Sequence, residues 1–361
     1  MGQANSPRVS VVMAVYNGAP YLGDTVRSIL GQTFSNFEFL IVDDGSTDGS
    51  RDIVLSFDDR RIRLIKNESN EGLARSLNRG ISAAVGEFVA RIDADDLAFK
   101  NRLYRQVTYL DDHPEIALAG SGFREIREGR AGRRLRYPEQ QAVLQWSLMF
   151  FCPFVHSAMM WRRALVGTQV GGYDERFRYA MDWEFWSRIG CRLGISNTSD
   201  ILVQYRLGPH SMTSTHPDVP KEVQEARRVS VGLVFGEAGA KRWWEEAPVL
   251  YPIIDGWDAS STTIQTIRTS ISTIISLQSE FEKVMGLRGE KLDYFRKWVR
   301  GWMARQLLYR ARKAHRAQYR DLGKMLLAEA LRVEPRLIGS ADFGRYLLIR
   351  AAGPMLKGRS F

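Results

Sequence analysis

The sequence predicts an α/β fold, in which a mixed, mainly parallel sheet is flanked by helices and followed by a mainly helical region. Residues 9–15 form an apolar, β-branched run, which is typical of a strand buried on both faces. Strand and helix patterns then alternate through the first 110 residues, and this alternation indicates βαβ units and a parallel sheet. After Thr215 the apolar spacing becomes predominantly helical.

The individual elements follow from the same patterns. The sequence predicts strands at residues 9–15, 37–42, 62–65 and 87–92, helices at 21–30, 47–57 and 73–84, and a further helix that begins near residue 97 and ends near residue 113. From about residue 115 to 210 the pattern is mixed, with apolar runs at 116–120 and 157–161, helices near 140–150 and 181–193, and a Gly/Arg-rich connection through residue 136. We predict two domains, residues 1–215 and residues 216–361.

Polar groups gather where the predicted strands end. In open parallel sheets, ligands bind at the carboxyl ends of the strands. Here those ends carry Tyr16-Asn17, Asp43-Asp44 and the acidic run from Asp93 to Asp96. Crowded carboxylates repel one another unless a cation or a donor-rich ligand satisfies them. The sequence therefore predicts a ligand site at this rim.

Composition and motifs argue against several classes of protein. The dinucleotide fingerprint and the P-loop pattern are both absent after the first strand. Cys152 and Cys191 lack metal-site spacing and cannot form a disulfide framework, which favours a reducing compartment. The net charge of +10 arises in residues 288–361, which hold 18 basic and 6 acidic residues, so it is no evidence for nucleic-acid binding by the α/β region. Residues 142–161 carry no charge but include polar side chains, which favours a buried segment over a membrane span.

Five motifs in this order and spacing resemble family 2 glycosyltransferases of the GT-A fold. The resemblance covers roughly residues 8–210. The motifs are Val11-Val12-Met13-Ala14-Val15-Tyr16-Asn17, Val42-Asp43-Asp44-Gly45-Ser46-Thr47-Asp48, Asn70-Glu71-Gly72-Leu73, Gly86-Glu87-Phe88 and Asp93-Ala94-Asp95-Asp96. The resemblance implies a Rossmann-like nucleotide-diphospho-sugar transferase that transfers a hexosyl group with inversion, of the type that builds bacterial cell-surface polysaccharide.

For the acidic run, the resemblance implies a metal-binding Asp-x-Asp motif. Such motifs bind Mg²⁺ or Mn²⁺, which bridges the donor diphosphate, and hard cations of this kind need only one or two protein carboxylates besides phosphate oxygens. We assign the metal to Asp95 and Asp96, with Asp93 supporting as a donor-binding residue. The alternative is that Asp93 or Asp96 caps the helix that follows.

For the donor, the resemblance implies that Asp43 accepts a hydrogen bond from the nucleotide base, usually uracil. Ala14, Val15 and Tyr16 would lie along that base, and Asn70 and Gly72 would bring backbone near the donor. The alternative for residues 43–46 is a plain turn followed by a helix cap. Many relatives carry an arginine where this chain has Leu77, so Arg75 and Arg91 are the candidate replacements.

The resemblance implies a catalytic base at Asp182. Relatives often show Glu-Asp-x-x-x-Trp at a helix start, and here Asp182 and Trp186 match while Met181 replaces the glutamate. An inverting transfer needs such a base to take the proton of the acceptor hydroxyl. Glu184 is the second candidate for the base, and a simple helix cap is the alternative role for Asp182.

Other candidates lie on the acceptor and diphosphate sides. His156, in Pro153-Phe154-Val155-His156-Ser157, matches a stretch near the acceptor in relatives, with Trp183 and Glu184 beside it; a hydrogen-bonded core histidine is the alternative. Arg206 and His210 match a closing loop whose cation reaches the diphosphate, against a plain surface loop.

The C-terminal region alternates basic and apolar residues at helical spacing. Arginines and lysines interleave with Trp298 and Trp302, a mixture that suits peripheral contact with an anionic membrane surface and a lipid-linked or other glycan acceptor. The alternative is a helical domain that buries its apolar stripe and exposes its arginines. Since no basic segment precedes the first apolar run, we expect no secretory signal and a cytoplasmic location, with the inner face of the plasma membrane as the place of any such contact.

Two other functions are alternatives to glycosyl transfer. A non-catalytic nucleotide- or nucleic-acid-binding regulator on a degenerate transferase fold would not need all of Asp93, Asp95, Asp96 and Asp182. A nucleotidyltransferase would need a Gly-rich basic loop after the first strand, which residues 16–20 do not provide.

Overall fold

The computed structural model describes residues 6–127, 129–208, 218–245, 262–317 and 319–351. It divides into two compact units, residues 1–233 and residues 234–361. The functional division that the sequence predicts after residue 215 stays a prediction.

The first unit is built on a mixed sheet, which confirms the predicted fold class. Its described strands are β1 (Val9–Val15), β2 (Phe37–Asp43), β3 (Ile62–Lys66), β4 (Phe88–Arg91), β5 (Leu97–Ala98), β6 (Ile116–Arg127), β7 (Arg130–Leu135), β8 (Met160–Arg162) and β9 (Gly194–Arg206). Their order is β3-β2-β1-β4-β8-β6-β9-β5, with β7 paired to β6. The pairs β1–β2, β1–β4, β2–β3 and β6–β9 are parallel, whereas β8, β7 and β5 pair antiparallel with their neighbours.

Helices cover both faces of this sheet. They are α1 (Ala19–Leu30), α2 (Ser50–Leu55), α3 (Leu73–Ala83), α4 (Arg102–Asp112), α5 (Gln141–Leu148), α6 (Arg163–Gln169) and α7 (Met181–Arg192), and a short 3₁₀ turn spans His156–Ala158. Alternate residues of β1 point to opposite faces, so Val12 packs with Leu77 of α3 while Val11 packs with Val26 of α1. This two-sided burial explains why β1 is apolar along its whole length.

The structure departs from the local patterns in the middle of the first unit. The apolar run at 116–120 continues as β6 to Arg127, and the predicted Gly/Arg-rich connection folds back on it as β7. Leu97–Ala98, where the sequence predicts the start of the next helix, instead forms a strand that pairs with Gln204 and Val203 of β9, and α4 begins only at Arg102. Leu97–Ala98 is a strand because of a distant partner, which hydrophobic periodicity does not report. β7 pairs with the strand directly before it, but it is mostly exposed and arginine-rich and so lacks an apolar alternation.

The second unit is helical, as the sequence predicts. Its described helices are α9 (Ile264–Val284), α10 (Gly289–Arg316), α11 (Arg320–Val333) and α12 (Ala341–Ala351). The preceding helix, α8 (Val219–Glu245), begins in the first unit, ends in the second and is interrupted at Gly236, whose φ is 74°. The predicted apolar stripe of α10 is buried within this unit: Phe295 stacks on Phe281 at 5.2 Å, and Leu307 lies in a cluster with Ile271. Among the described residues, no helix has the length and apolar character needed to cross a bilayer. Membrane contact stays a prediction.

Candidate active site

A cleft of about 480 Å³ opens in the first unit. The loop after β4, the first turn of α7 and the end of β9 each contribute to its wall. Six residues predicted from the sequence line it: Arg91, Asp93, Asp95, His156, Asp182 and Arg206. The fold thus brings the acidic run and the candidate base to one cavity.

Asp93 forms an ion pair with the buried guanidinium of Arg91 in the wall of this cleft. Both of its carboxylate oxygens accept hydrogen bonds from the guanidinium of Arg91, whose side chain is 1% exposed. Ser157 donates to Asp93 Oδ2 at 2.8 Å and accepts from the Asp93 N–H at 3.0 Å. Although burial acts to raise it, the charge of Arg91 holds the pKa of Asp93 below its ordinary value. Asp93 is therefore an ionised, already paired carboxylate.

Asp95 presents its carboxylate to the cleft. The residue is exposed, and its side chain accepts no hydrogen bond from another described residue. Loss of water around the carboxylate, and then the negative charge of Asp93, raise the pKa of Asp95 to about 6. A carboxylate in this environment gains from a nearby cation.

Asp96 does not line the cleft. It is 1% exposed, and its Oδ1 accepts a hydrogen bond from the Arg206 N–H at 2.7 Å, while Oδ2 has no hydrogen-bond partner among the described residues. Burial, and then the charges of Asp93 and Asp95, raise the pKa of Asp96 well above its ordinary value. The structure gives Asp96 a backbone partner on β9, which differs from the direct metal contact that the sequence predicts for it.

Arg206 connects the end of β9 to the acidic loop. Its Nε donates to the carbonyl oxygen of Asp95 at 2.8 Å, and its guanidinium lies 4.1 Å from the ring centroid of Tyr21. This places a fixed positive charge beside Asp95 at the cleft wall. His210, the other predicted cation of this loop, lies outside the described residues.

Asp182 stands in the first turn of α7 and faces the cleft. Its Oδ1 accepts a hydrogen bond from the N–H of Trp183 at 2.7 Å, and Oδ2 is not bonded to a described residue. Burial is the main cause that raises the pKa of Asp182 to about 6. A carboxylate with this pKa is ionised at neutral pH, yet is a stronger base than an ordinary aspartate.

The two residues after Asp182 turn away from the cleft. Glu184 is 4% exposed and forms an ion pair with Arg188, with contacts of 2.6 and 2.8 Å. The indole of Trp183 is buried and donates to the carbonyl oxygen of Leu148 at 2.7 Å. The geometry leaves Asp182 as the base candidate of this helix that faces the cavity.

A further acidic residue, which sequence patterns do not single out, forms hydrogen bonds with the loop that precedes α7. Glu222, near the start of α8, accepts hydrogen bonds from three consecutive backbone N–H groups, of Arg178, Tyr179 and Ala180, at 2.9, 2.7 and 3.1 Å. Arg178 and Tyr179 line the cleft. Because Glu222 comes about forty residues after this loop, no local signal in the sequence connects the two.

His156 is a half-buried member of an aromatic cluster at the cleft. Its Nε2 lies 2.8 Å from the Tyr173 hydroxyl, and its ring packs edge-on against Trp186 at 5.9 Å. Burial, and then the charge of Arg91, lower the pKa of His156 well below its ordinary value, so the ring is neutral at pH 7. The histidine is thus hydrogen-bonded and also lines the cavity, and its role on the acceptor side stays a prediction.

The predicted donor residues lie at the carboxyl ends of β1 and β2. Val15 and Asp43 are direct neighbours in the parallel register, and both are buried. Ala14, directly before Val15, is also buried, whereas Tyr16 is half exposed. Asp43 Oδ1 accepts from the Ser46 N–H at 2.9 Å. These residues form a rim of the sheet and do not line the 480 Å³ cleft.

Asp44 forms hydrogen bonds with the loop between β3 and α3, next to this rim. Its carboxylate accepts hydrogen bonds from the N–H groups of Glu71 and Gly72, each at 2.9 Å. Gly72 has a φ of 96°, a conformation that favours glycine, and Asn70 remains exposed. Arg75 and Arg91 are the candidates to replace the arginine that many relatives carry at the position of Leu77. Arg75 forms an ion pair with Glu175 at 3.2 Å, and of the two only Arg91 lines the cleft.

Comparison with known proteins identifies relatives of this chain. The model of a family described as Glycosyl transferase family 2 matches residues 10–168. An uncharacterized glycosyltransferase of Haemophilus influenzae is 31% identical over 250 residues, which are 65% of this chain and 76% of that protein. The putative glycosyltransferase EpsE of Bacillus subtilis is 36% identical over 192 residues, which are 51% of this chain and 67% of EpsE.

Solved structures support the same fold. Residues 1–349 of S. aureus TarS, in a complex with UDP-GlcNAc, are similar with a TM-score of 0.58 and 19% identity, over 90% of this chain and 91% of that one. A longer S. aureus TarS structure is similar with a TM-score of 0.54 and 20% identity, over 80% of this chain and 50% of that one. This likeness confirms the predicted GT-A fold.

Proposed function

The chain belongs to glycosyl transferase family 2, and on that premise we propose that it transfers a sugar from a nucleotide-diphosphate sugar to an acceptor hydroxyl with inversion. The observation that carries the proposal is that Asp95 and Asp182, from the loop after β4 and the first turn of α7, line one cleft. In this proposal Asp95 would hold the cation that a diphosphate needs, and Asp182 would be the base that a nucleophile needs. We assign the reaction to polysaccharide or glycan biosynthesis.

The donor proposed is a UDP-sugar. The rim formed by Ala14, Val15, Tyr16 and Asp43 suits a nucleotide base. Asp43 is a buried hydrogen-bond acceptor, Tyr16 is an exposed aromatic ring, and the backbone of Gly72 is also proposed to lie near the donor. The solved complexes of TarS residues 1–349 contain UDP-GlcNAc or UDP, which supports uridine as the first base to test. Asn70 and Asp93 complete the proposed donor side.

The residues present fit a divalent cation, Mg²⁺ or Mn²⁺, at Asp95. Among the described residues no three Asp, Glu, His or Cys side chains are arranged to hold an ion, so the protein would supply few ligands and the diphosphate would supply others. The open carboxylate of Asp95 suits that arrangement, whereas Asp93 is paired with Arg91 and Asp96 is buried. When bound, the cation would neutralise charge that develops on the leaving diphosphate. We therefore propose Asp95 as the protein ligand and give Asp96 the role of positioning Arg206.

The chain's own residues divide the transfer between them. Asp182 takes the proton of the acceptor hydroxyl while that oxygen attacks the anomeric carbon from the face opposite the nucleotide. The bond from the anomeric carbon to the diphosphate oxygen breaks in the same displacement, and a single in-line displacement inverts the configuration. Arg206, held beside Asp95, adds positive charge on the leaving-group side. We leave His210 as a second candidate for that charge.

Nucleotide-sugar binding and turnover test this proposal. The purified chain is screened against UDP-, GDP- and dTDP-sugars by thermal shift, with and without Mn²⁺, and nucleotide release is then followed with the donors that bind. We expect a metal-dependent rise in Tm with one donor, and release of its nucleotide by the wild type but not by Asp182→Asn. The proposal fails if no donor binds or turns over while RNA binds in a salt-dependent way, which would indicate a regulator on the same fold.

A further inference from the structure

The hairpin formed by β6 and β7 concentrates arginines on one edge of the first unit. Residues 124–136, here called the arginine hairpin, contain six arginines, two glutamates and no lysine. Arg127, Arg130, Arg133, Arg134 and Arg136 are exposed. A segment of this composition is suited to fork-like recognition of phosphate or carboxylate, which the arginine guanidinium provides and a lysine ammonium does not.

The pairing of the two strands places like charges opposite each other. Arg124 faces Arg134, and Arg127 faces Arg130, across the antiparallel ladder. Like charges directly opposite in a sheet destabilise it. A hairpin that retains two such pairs gains stability when an anion binds between them.

The protein itself neutralises only part of this charge. Glu125 pairs with Arg133 at 2.9 Å and with Arg127 at 3.7 Å, and the Nε of Arg136 donates to the carbonyl oxygen of Ser199 at 2.7 Å. Within the described ranges, Arg130 and Arg134 take part in no ion pair. As far as the described residues show, these two guanidinium groups remain available to an external anion.

The base of the hairpin forms part of the wall of the active-site cleft. Phe123, directly before the arginine hairpin, packs against Tyr205 at 5.6 Å and against Tyr137, directly after it, at 6.3 Å. All three rings line the cleft that holds Asp182. An acceptor chain that extends out of the cleft beside these rings would leave it next to the arginine hairpin, where Arg124 and Arg134 lie on the face opposite to Phe123 and Leu135.

We propose that the arginine hairpin binds phosphate or carboxylate groups of an anionic acceptor glycan and guides that glycan to the cleft. This inference rests on the proposed transferase function and adds the chemical class of its acceptor. A neutral glycan has no anionic group that could pair with the guanidinium groups of Arg130 and Arg134. A membrane is the weaker match, because Gly129 before β7 and Ala131 and Gly132 at the start of β7 offer no large apolar side chain to enter a bilayer.

The test compares two double variants of the full chain. Arg130→Gln/Arg134→Gln removes the two unpaired charges of the hairpin. Arg60→Gln/Arg192→Gln is the matched control, since both residues are exposed, have no ion pair among the described residues and lie outside the hairpin and the cleft. The probes are a phosphorylated mannopentaose, an oligogalacturonate and neutral mannopentaose, which separate phosphate from carboxylate and both from a neutral sugar. Binding is measured by calorimetry at low and physiological salt, alongside UDP binding and binding to phosphatidylglycerol vesicles.

We expect the wild type to bind at least one anionic oligosaccharide more tightly than mannopentaose, with weaker binding at higher salt. Arg130→Gln/Arg134→Gln should weaken that binding about tenfold, and the control should leave it unchanged. UDP affinity should be equal in all three proteins.

Three results would overturn the proposal: equal oligosaccharide affinity in both variants, no preference for anionic sugars, or a loss confined to the vesicles. Self-association of the hairpin variant without loss of affinity would assign the arginines to protection of the β7 edge, and would also overturn it. Failure of the wild type to bind UDP would count against the proposed function instead, and the oligosaccharide titration would still report on the hairpin.

Discussion

Asp93 places both of its carboxylate oxygens on the guanidinium of Arg91, so the first acidic residue after β4 is already neutralised within the protein. The guanidinium is buried, and Ser157 bonds to both partners. This pair fixes the loop in front of Asp95 and leaves Asp95 as the open carboxylate of the acidic run. Stability and catalysis can therefore be separated by mutation.

Arg91→Met should lower the free energy of unfolding by about 3 kcal/mol, because it leaves Asp93 without its cation in a poorly solvated site. Urea denaturation measures this change. The matched control is Arg27→Met, which removes an exposed pair with Asp24 and should cost less than about 1 kcal/mol. Equal losses in the two variants would show that burial adds nothing to the Arg91–Asp93 pair.

Asp95→Asn should abolish the metal-dependent part of donor affinity, a loss of roughly a hundredfold, because the open carboxylate is the proposed ligand. Asp96→Asn should keep donor affinity within about threefold, since the amide oxygen can still accept from the Arg206 N–H. Titration of UDP with and without Mn²⁺ measures both effects. The opposite ranking of the two variants would restore Asp96 as the metal ligand.

Asp182→Asn should lower kcat about a thousandfold and leave UDP affinity unchanged, because the amide cannot accept the acceptor proton. Glu184→Gln is the control, since Glu184 faces Arg188 and should keep kcat within a few-fold while it lowers Tm. Initial rates with the donor found by screening, together with UDP titration, check the pair. Loss of both transfer and donor binding in Asp182→Asn would mean that Asp182 has another role.

The rate should depend on pH through Asp182. Its pKa is raised to about 6, and the base must be ionised, so kcat should be constant above that pH and fall as the pH drops through about 6. The pH profiles of kcat and of kcat/KM measure this, and an unchanged kcat between about pH 7 and pH 4 would contradict the assignment of the base.

Glu222→Ala should reduce kcat about tenfold with little change in UDP affinity, because three backbone N–H groups before α7 lose their common acceptor. Glu222→Gln retains an acceptor oxygen and should recover most of the rate. Glu225→Ala, an exposed acid on the same helix, is the control. If Glu222→Ala lowered Tm but not kcat, Glu222 would serve stability alone.

Local sequence was sufficient for the central elements of the α/β unit. The apolar run at Val9–Val15 predicts a buried strand since each residue along it faces one of two covered surfaces, and the structure confirms it. The acidic groups at the carboxyl ends of parallel strands must meet at one rim, which follows from strand direction alone. Proposed roles for Asp43, Asp95 and Asp182 need no more than this together with the family resemblance.

The amino-acid sequence by itself determined the alternation of β1, α1 and β2, the helical character of the C-terminal region and the set of acidic candidates. Only the tertiary structure decided that Asp93 is paired with Arg91, that Asp95 opens on the cleft while Asp96 is buried against the backbone of Arg206, and that Glu222 holds the approach to α7. It also decided that the Gly/Arg-rich connection is a strand beside the cleft. The physical reason is that periodicity records which face of an element is apolar, whereas ion pairs, pKa shifts and edge strands depend on contacts between residues far apart in the chain.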